Sequence, residues 1–218
     1  MKGYLDVATA AIAMVCPALA GPLAVGSATA GVLYENAIRQ RKAVADEIAM
    51  RELADANTYD ALMADPDTFV SRAARYYQAA IIGSAHANLR ILARMIVCGG
   101  ERAMPADEFL YLAQTIESLR HDELLVLASF SRARRRRDQD NALDAKQDLY
   151  SAVETDLAGI FDTSELDGLV HALLRTGFLT TRSGWGGSQW NVTSLLLRLE
   201  ATTQFSLIVQ DDVQPRKN

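Results

Sequence analysis

The chain predicts a mainly α fold: an N-terminal helical layer with one long helix, then a C-terminal helical module carrying a two-stranded β-hairpin. Three observations predict it. Apolar residues recur at helical spacing through most of the chain, and Asp65-Pro66-Asp67 opens the longest such run. Near the C-terminus two short runs containing Thr, Trp and Val flank a glycine-rich segment. Hydrophobic residues make up 50% of the 218, enough to bury a sizeable core.

From Val7 to Tyr34 there is no charged residue, and about 20 apolar residues suffice to cross a bilayer. This run is dominated by Ala, Gly, Ser and Thr, and each of its few large aliphatic side chains adds only about 0.3 to 0.6 kcal/mol towards insertion. Pro17, Gly21, Pro22, Gly26 and Gly31 oppose that gain. A signal peptide would use Lys2, the apolar stretch Ala8 to Val15 and Ala18-Leu19-Ala20 as a cleavage site, but Asp6 and the weak apolar stretch argue against it. The expectation is a short helix, a bend at the prolines, and a second helix from Pro22 into the charged stretch 39–57. There Ile38, Val44, Ala45, Ile48 and Leu53 define an apolar stripe, and Glu47 and Arg51 stand one turn apart. Cys16 and Cys98 lie in separate apolar runs, which suits two reduced, buried thiols and a cytoplasmic protein.

Asp65 is placed to cap the next helix with Pro66 at its first position. Apolar residues from Phe69 to Ile96 then hold helical period up to Gly99-Gly100, predicting one uninterrupted helix of roughly 48 Å at about 1.5 Å per residue. His86 is expected inside it as a satisfied interior polar group. Beyond Met104-Pro105, Asp107 and Glu108 open a helix through Leu119. The segment 122–137 continues the pattern and ends in Arg134-Arg135-Arg136-Arg137, favourable at the negative end of a helix dipole. After a polar joint, Leu143, Leu149, Tyr150, Val153, Leu157 and Ile160 are expected on one helical face. The division drawn from these patterns is 1–104 as the N-terminal region, 105–209 as the C-terminal module and 210–218 as a disordered tail.

Within that module Thr163 or Ser164 is placed to cap a helix carrying Leu166, Leu169, Val170, Leu173 and Leu174, with Gly177 as its left-handed stop. Residues 178–182 read as a strand, 183–188 as a glycine-rich turn, 189–192 as the return strand, and Thr193 or Ser194 as the cap of a Leu-rich helix. This order resembles a winged helix-turn-helix domain. The resemblance is carried by Leu173-Leu174-Arg175-Thr176-Gly177-Phe178-Leu179 and Trp190-Asn191-Val192-Thr193 and covers residues 120–202; the N-terminal half resembles no characterised family.

In many such domains the resemblance implies DNA binding, which needs phosphate neutralisation and base-edge donors. The helix that would read DNA instead carries Glu165 and Asp167, preceded by Asp162, against Arg175 alone. The net charge of -5 also opposes indiscriminate attraction to nucleic acid. Candidate nucleic-acid or anion contacts are Arg134, Arg135, Arg136 and Arg137 with Arg182 on the wing, and Trp185 is a candidate partner contact. The competing reading of the arginine run is a solvated helix end balanced by Asp138, Asp140, Asp144 and Asp148.

His86, His121 and His171 are dispersed, and no metal, phosphate-loop or nucleophile-elbow motif is present, so no catalytic residue, metal ligand or cofactor is assigned. The functional expectation is a non-catalytic interaction or assembly protein, self-associating through its N-terminal helices or binding another protein. The alternatives are a winged-helix DNA-binding regulator and a peripheral membrane effector using residues 7–34.

Overall fold

The computed structural model describes residues 28–56, 65–97, 104–139, 148–184 and 187–213. Over these the chain is mainly helical with one antiparallel hairpin, and it divides into two compact units, Met1–Ser118 and Leu119–Asn218. The division falls after the helix that follows Pro105, C-terminal to the 104/105 boundary drawn from sequence pattern. Most of the Val7–Tyr34 run, both cysteines and Trp185 lie outside the described residues.

The N-terminal unit contains α1 (Ala28–Ala56), α2 (Pro66–Ile82), α3 (His86–Val97) and α4 (Ala106–Ser118). Helix α3 is central and packs on each of the other three. Its sequence explains the position: from Ala87 to Val97 every side chain but Arg94 is buried, and a helix apolar nearly all round must be enclosed by neighbours. Tyr76 from α2, Ile91, Leu92 and Met95 from α3, and Phe109, Leu112 and Ile116 from α4 form the core. Asn88 is fully buried there and donates from Nδ2 to the Ile116 carbonyl at 2.6 Å.

The single long helix expected from 65 to 99 is two helices. The first begins as its sequence specifies, with Pro66 in the first turn and Asp65 Oδ1 accepting from the Thr68 amide at 3.2 Å. It ends at Gly83, whose φ of 101° is left-handed. The Gly83 amide donates to Ala80 and the Ser84 amide to Ala79, both at 3.1 Å, the paired closure that satisfies the last carbonyls of a helix. Arg41 of α1 also donates to the Ile81 carbonyl at 2.6 Å. His86 starts the following helix and is exposed, which corrects its expected interior position. On α1, Ala45, Ile48 and Glu52 are buried while Val44 faces solvent, so the buried stripe is narrower than expected and contains a carboxylate.

The C-terminal unit is built on α5 (His121–Gln139), with α6 (Leu149–Asp156), α7 (Thr163–Leu173), a 3₁₀ turn (Leu174–Thr176), strands β1 (Leu179–Gly184) and β2 (Gly187–Val192), α8 (Ser194–Thr203) and α9 (Phe205–Val213). Helices α6, α7, α8 and α9 and strand β2 all pack on α5. That helix is buried from Glu123 to Ser131 and polar beyond, so its first two thirds form the core and its last turns carry the arginines. The strands pair in register from Leu179↔Val192 to Gly184↔Gly187. Gly177 has φ 71°, as the stop expected there requires.

Three local expectations are corrected. Asp162, rather than Thr163 or Ser164, caps α7, its Oδ1 accepting from the Glu165 amide at 2.7 Å. Helix α6 stops at Asp156, so Leu157 and Ile160 are not on its face, and Ile160 is exposed. Helix α9 runs to Val213, so residues 210–213 of the expected tail are helical. Thr193 stands at the N-cap of α8 as expected, but its hydroxyl makes no cap bond and donates instead to the Gly177 and Phe178 carbonyls at 2.7 and 3.1 Å, fastening the return strand to the start of the first.

Candidate functional site

The surface singled out by sequence is formed by the end of α5, helix α7 and the hairpin. The α5 end is held by one acid of its own helix and two from elsewhere in the unit. Arg132 and Arg136 reach Asp156 at 3.1 and 3.4 Å, Arg134 reaches Asp138 at 3.0 Å, and Arg135 pairs with Glu200. The Ser129 hydroxyl adds a bond to Asp156 at 2.8 Å. Burial pushes the Asp156 carboxyl up, but the bonds from Ser129 and Arg132 outweigh it and hold the group below the usual aspartate range. Glu200 also accepts from the Ser206 amide and hydroxyl at 3.1 and 2.7 Å, which places it over the first turn of α9.

Of the acids expected to balance the run, Asp138 does so, Asp148 precedes α6 and makes no ion pair among the described residues, and Asp140 and Asp144 lie outside the described residues. Asp156 and Glu200 do the rest, and both were missed because their proximity is tertiary. Arg137 makes no ion pair among the described residues. Arg182 is exposed on β1 opposite Gln189.

Helix α7 exposes Asp162, Glu165 and Asp167 on the polar side of a buried stripe formed by Leu166, Leu169, Val170 and Leu173. At one edge an aromatic group stands against it. Tyr150 of α6 stacks with Trp190 of β2, ring centres 6.4 Å apart, and His171 meets Trp190 edge-on at 5.1 Å. The Tyr150 hydroxyl donates to Asp167 at 2.5 Å, and burial with that bond pushes the phenol well up. Arg175 turns away from the acidic face to Glu123 of α5 at 2.7 Å.

A second polar cluster, not anticipated from sequence, lies inside the N-terminal unit. Glu52 of α1 accepts from Arg90 Nε at 3.0 Å and Arg94 Nε at 2.5 Å. Arg90 and Arg94, one turn apart in a largely apolar helix, were the signal for a buried acid. Among the described residues no group of three or more His, Cys, Asp or Glu side chains could hold a metal ion. No helix among them is long and apolar enough to cross a membrane.

Comparison of the chain with known protein families, curated proteins and solved structures finds no match.

Proposed function

We propose that this chain is a non-catalytic, cytoplasmic interaction protein that self-associates through its N-terminal helices and contacts a protein partner through a winged-helix-like C-terminal unit. One observation carries the reading: four of the five arginines from 132 to 137 are already paired with Asp138, Asp156 and Glu200, while the exposed side of α7 presents Asp162, Glu165 and Asp167. Phosphate binding draws on cations free to displace counterions, and it is repelled by an acidic helix face. Tyr34 and Val44 on α1, and Ile82, Leu110 and Tyr111 elsewhere in the unit, are large apolar side chains left exposed, which supports association of that unit.

The test is fluorescence anisotropy of labelled duplex DNA with the full chain at about 50 mM salt, beside the double variant Arg135→Glu/Arg136→Glu. The proposal expects no submicromolar binding by either protein. Tight, salt-sensitive binding lost on charge reversal would establish the DNA-regulator reading instead. Light scattering on a sizing column tests assembly, and a clean monomer unchanged by removal of residues 1–33 rejects self-association. Flotation of the full chain with liposomes would favour the membrane alternative.

A further inference from the structure

A cavity of about 80 Å³ opens between α1, α2 and α3, within the N-terminal unit. Each helix turns one alanine towards it, Ala49, Ala73 and Ala93, so the space is what larger side chains at these positions would have filled. Leu53, Phe69 and Ile96 make the walls apolar. A water held there needs two to four polar partners, which such walls do not supply.

The polar atoms at the rim are nearly all engaged. The Tyr76 hydroxyl donates to the Ala45 carbonyl at 2.7 Å, and the Tyr77 hydroxyl donates to Asp46 Oδ1 at 2.5 Å. Asp46 Oδ2 is left as an acceptor, and among the described residues no cation pairs with Asp46. Tyr77 also orients the carboxylate, whose charge is unmatched at the mouth of an apolar space.

We propose that this cavity binds a small amphiphilic amine, with a short alkyl chain between the three helices and an ammonium group on Asp46. Size and charge choose the ligand class. A dry cavity of about 150 Å³ takes a benzene-sized molecule, so the smaller space here suits a few methylenes. Near an ionised acceptor, an ammonium gains a charge-assisted bond that an alcohol makes more weakly and a carboxylate cannot make.

The experiment titrates the full chain at neutral pH with n-pentylamine, n-pentanol and pentanoate, read by saturation-transfer NMR and calorimetry. Pentylamine should bind saturably, about ten-fold or more tighter than pentanoate. Asp46→Asn, which keeps an oxygen for Tyr77, should reduce pentylamine to about the level of pentanol and weaken pentanol far less. Ala73→Leu should abolish all binding by filling the space. If that variant fails to fold, Asp46→Asn and competition between pentylamine and pentanol decide the matter. No saturable binding, equal affinity for amine and carboxylate, or an amine preference that survives Asp46→Asn would overturn the assignment.

Discussion

Arg90 Nε lies 3.0 Å from Glu52 Oε1 and ties α3 to α1 inside the N-terminal unit. The Glu52 side chain is 1% exposed and takes Arg94 on its other oxygen. Burial pushes this carboxyl up, but the bonds from Arg94 and Arg90 outweigh it and keep the group ionised below the usual glutamate range. Removing one partner of a buried pair costs about 3 to 5 kcal/mol, because the remaining charge loses its compensation in a poorly solvated place. Glu52→Ala should therefore lower the urea midpoint of the N-terminal unit strongly, and Arg94→Ala, at the more exposed partner, less. A Glu52→Ala protein as stable as wild type would show that the pair does not hold α1 to α3.

Gly83 should be nearly irreplaceable. Its φ of 101° is strained for any residue with a Cβ, and an added Cβ would stand 3.2 Å from the Arg41 guanidinium carbon. The left-handed conformation alone costs about 1 to 2 kcal/mol for an L residue. Displacing Arg41 would also weaken its bond to the Ile81 carbonyl. Gly83→Ala is expected to lose about 2 kcal/mol by urea unfolding, and Gly83→Asn less, since asparagine tolerates this region better. Equal stability of all three proteins would contradict this account of the helix break.

Local signals made the outline legible: Asp65-Pro66 started a helix, Gly177 stopped one, and short runs around a glycine-rich turn placed the hairpin. Periodicity and punctuation conflict at one place in the chain. Ile81-Ile82-Gly83-Ser84 fits an apolar helical stripe, so the glycine passed as part of it, although the same four residues encode a helix stop and a fresh start at His86. The candidate arginine patch was legible as a cluster, but its electrostatic state was not. Asp156 lies 20 residues past Arg136 and Glu200 lies 65 past Arg135, and only the packing of α6 and α8 on α5 brings them in. The Asp46 rim was equally hidden, because its partner Tyr77 belongs to another helix.

Acidification should weaken the C-terminal unit through Asp156. The folded chain keeps this carboxyl ionised below the usual value of about 4 that it regains on unfolding. Just below that pH the unfolded chain binds a proton the folded chain does not, so the contribution, complete at neutral pH, is lost as pH falls through the folded value. Glu123 is shifted the same way: burial raises it, and the bonds from Arg175 and Arg120 outweigh that. In the N-terminal unit Glu52 and Glu117 oppose each other, because burial raises Glu117 by more than Arg75 lowers it. The informative comparison is therefore Asp156→Asn against wild type in thermal melts from about pH 7 to about pH 3. The variant should be less stable at neutral pH, with the gap closing in acid; a gap that stays constant would mean Asp156 acts through packing alone.

The arginine run offers an ordering that separates a structural role from a nucleic-acid role. Arg135 meets Glu200, a nearly buried carboxylate that also holds the Ser206 amide and hydroxyl at the start of α9. Arg135→Ala removes one of the donors that compensate Glu200 and, because Arg135 itself is half exposed, should cost about 1 kcal/mol. Glu200→Ala removes the acceptor for α9 as well and should cost more. Arg137 has no ion pair among the described residues, and Arg137→Ala should fall within about 0.5 kcal/mol of wild type. Phosphate contact would rank the arginines the other way, since the one least engaged within the chain would be the most available to a backbone. Urea unfolding of the three variants beside anisotropy with duplex DNA reads both rankings. A stability order of Glu200, then Arg135, then Arg137, with no change in DNA affinity, assigns the run to holding α8 and α9 on α5. A stable Arg135→Ala protein with altered DNA affinity would return the run to the nucleic-acid contact named as a candidate from the sequence.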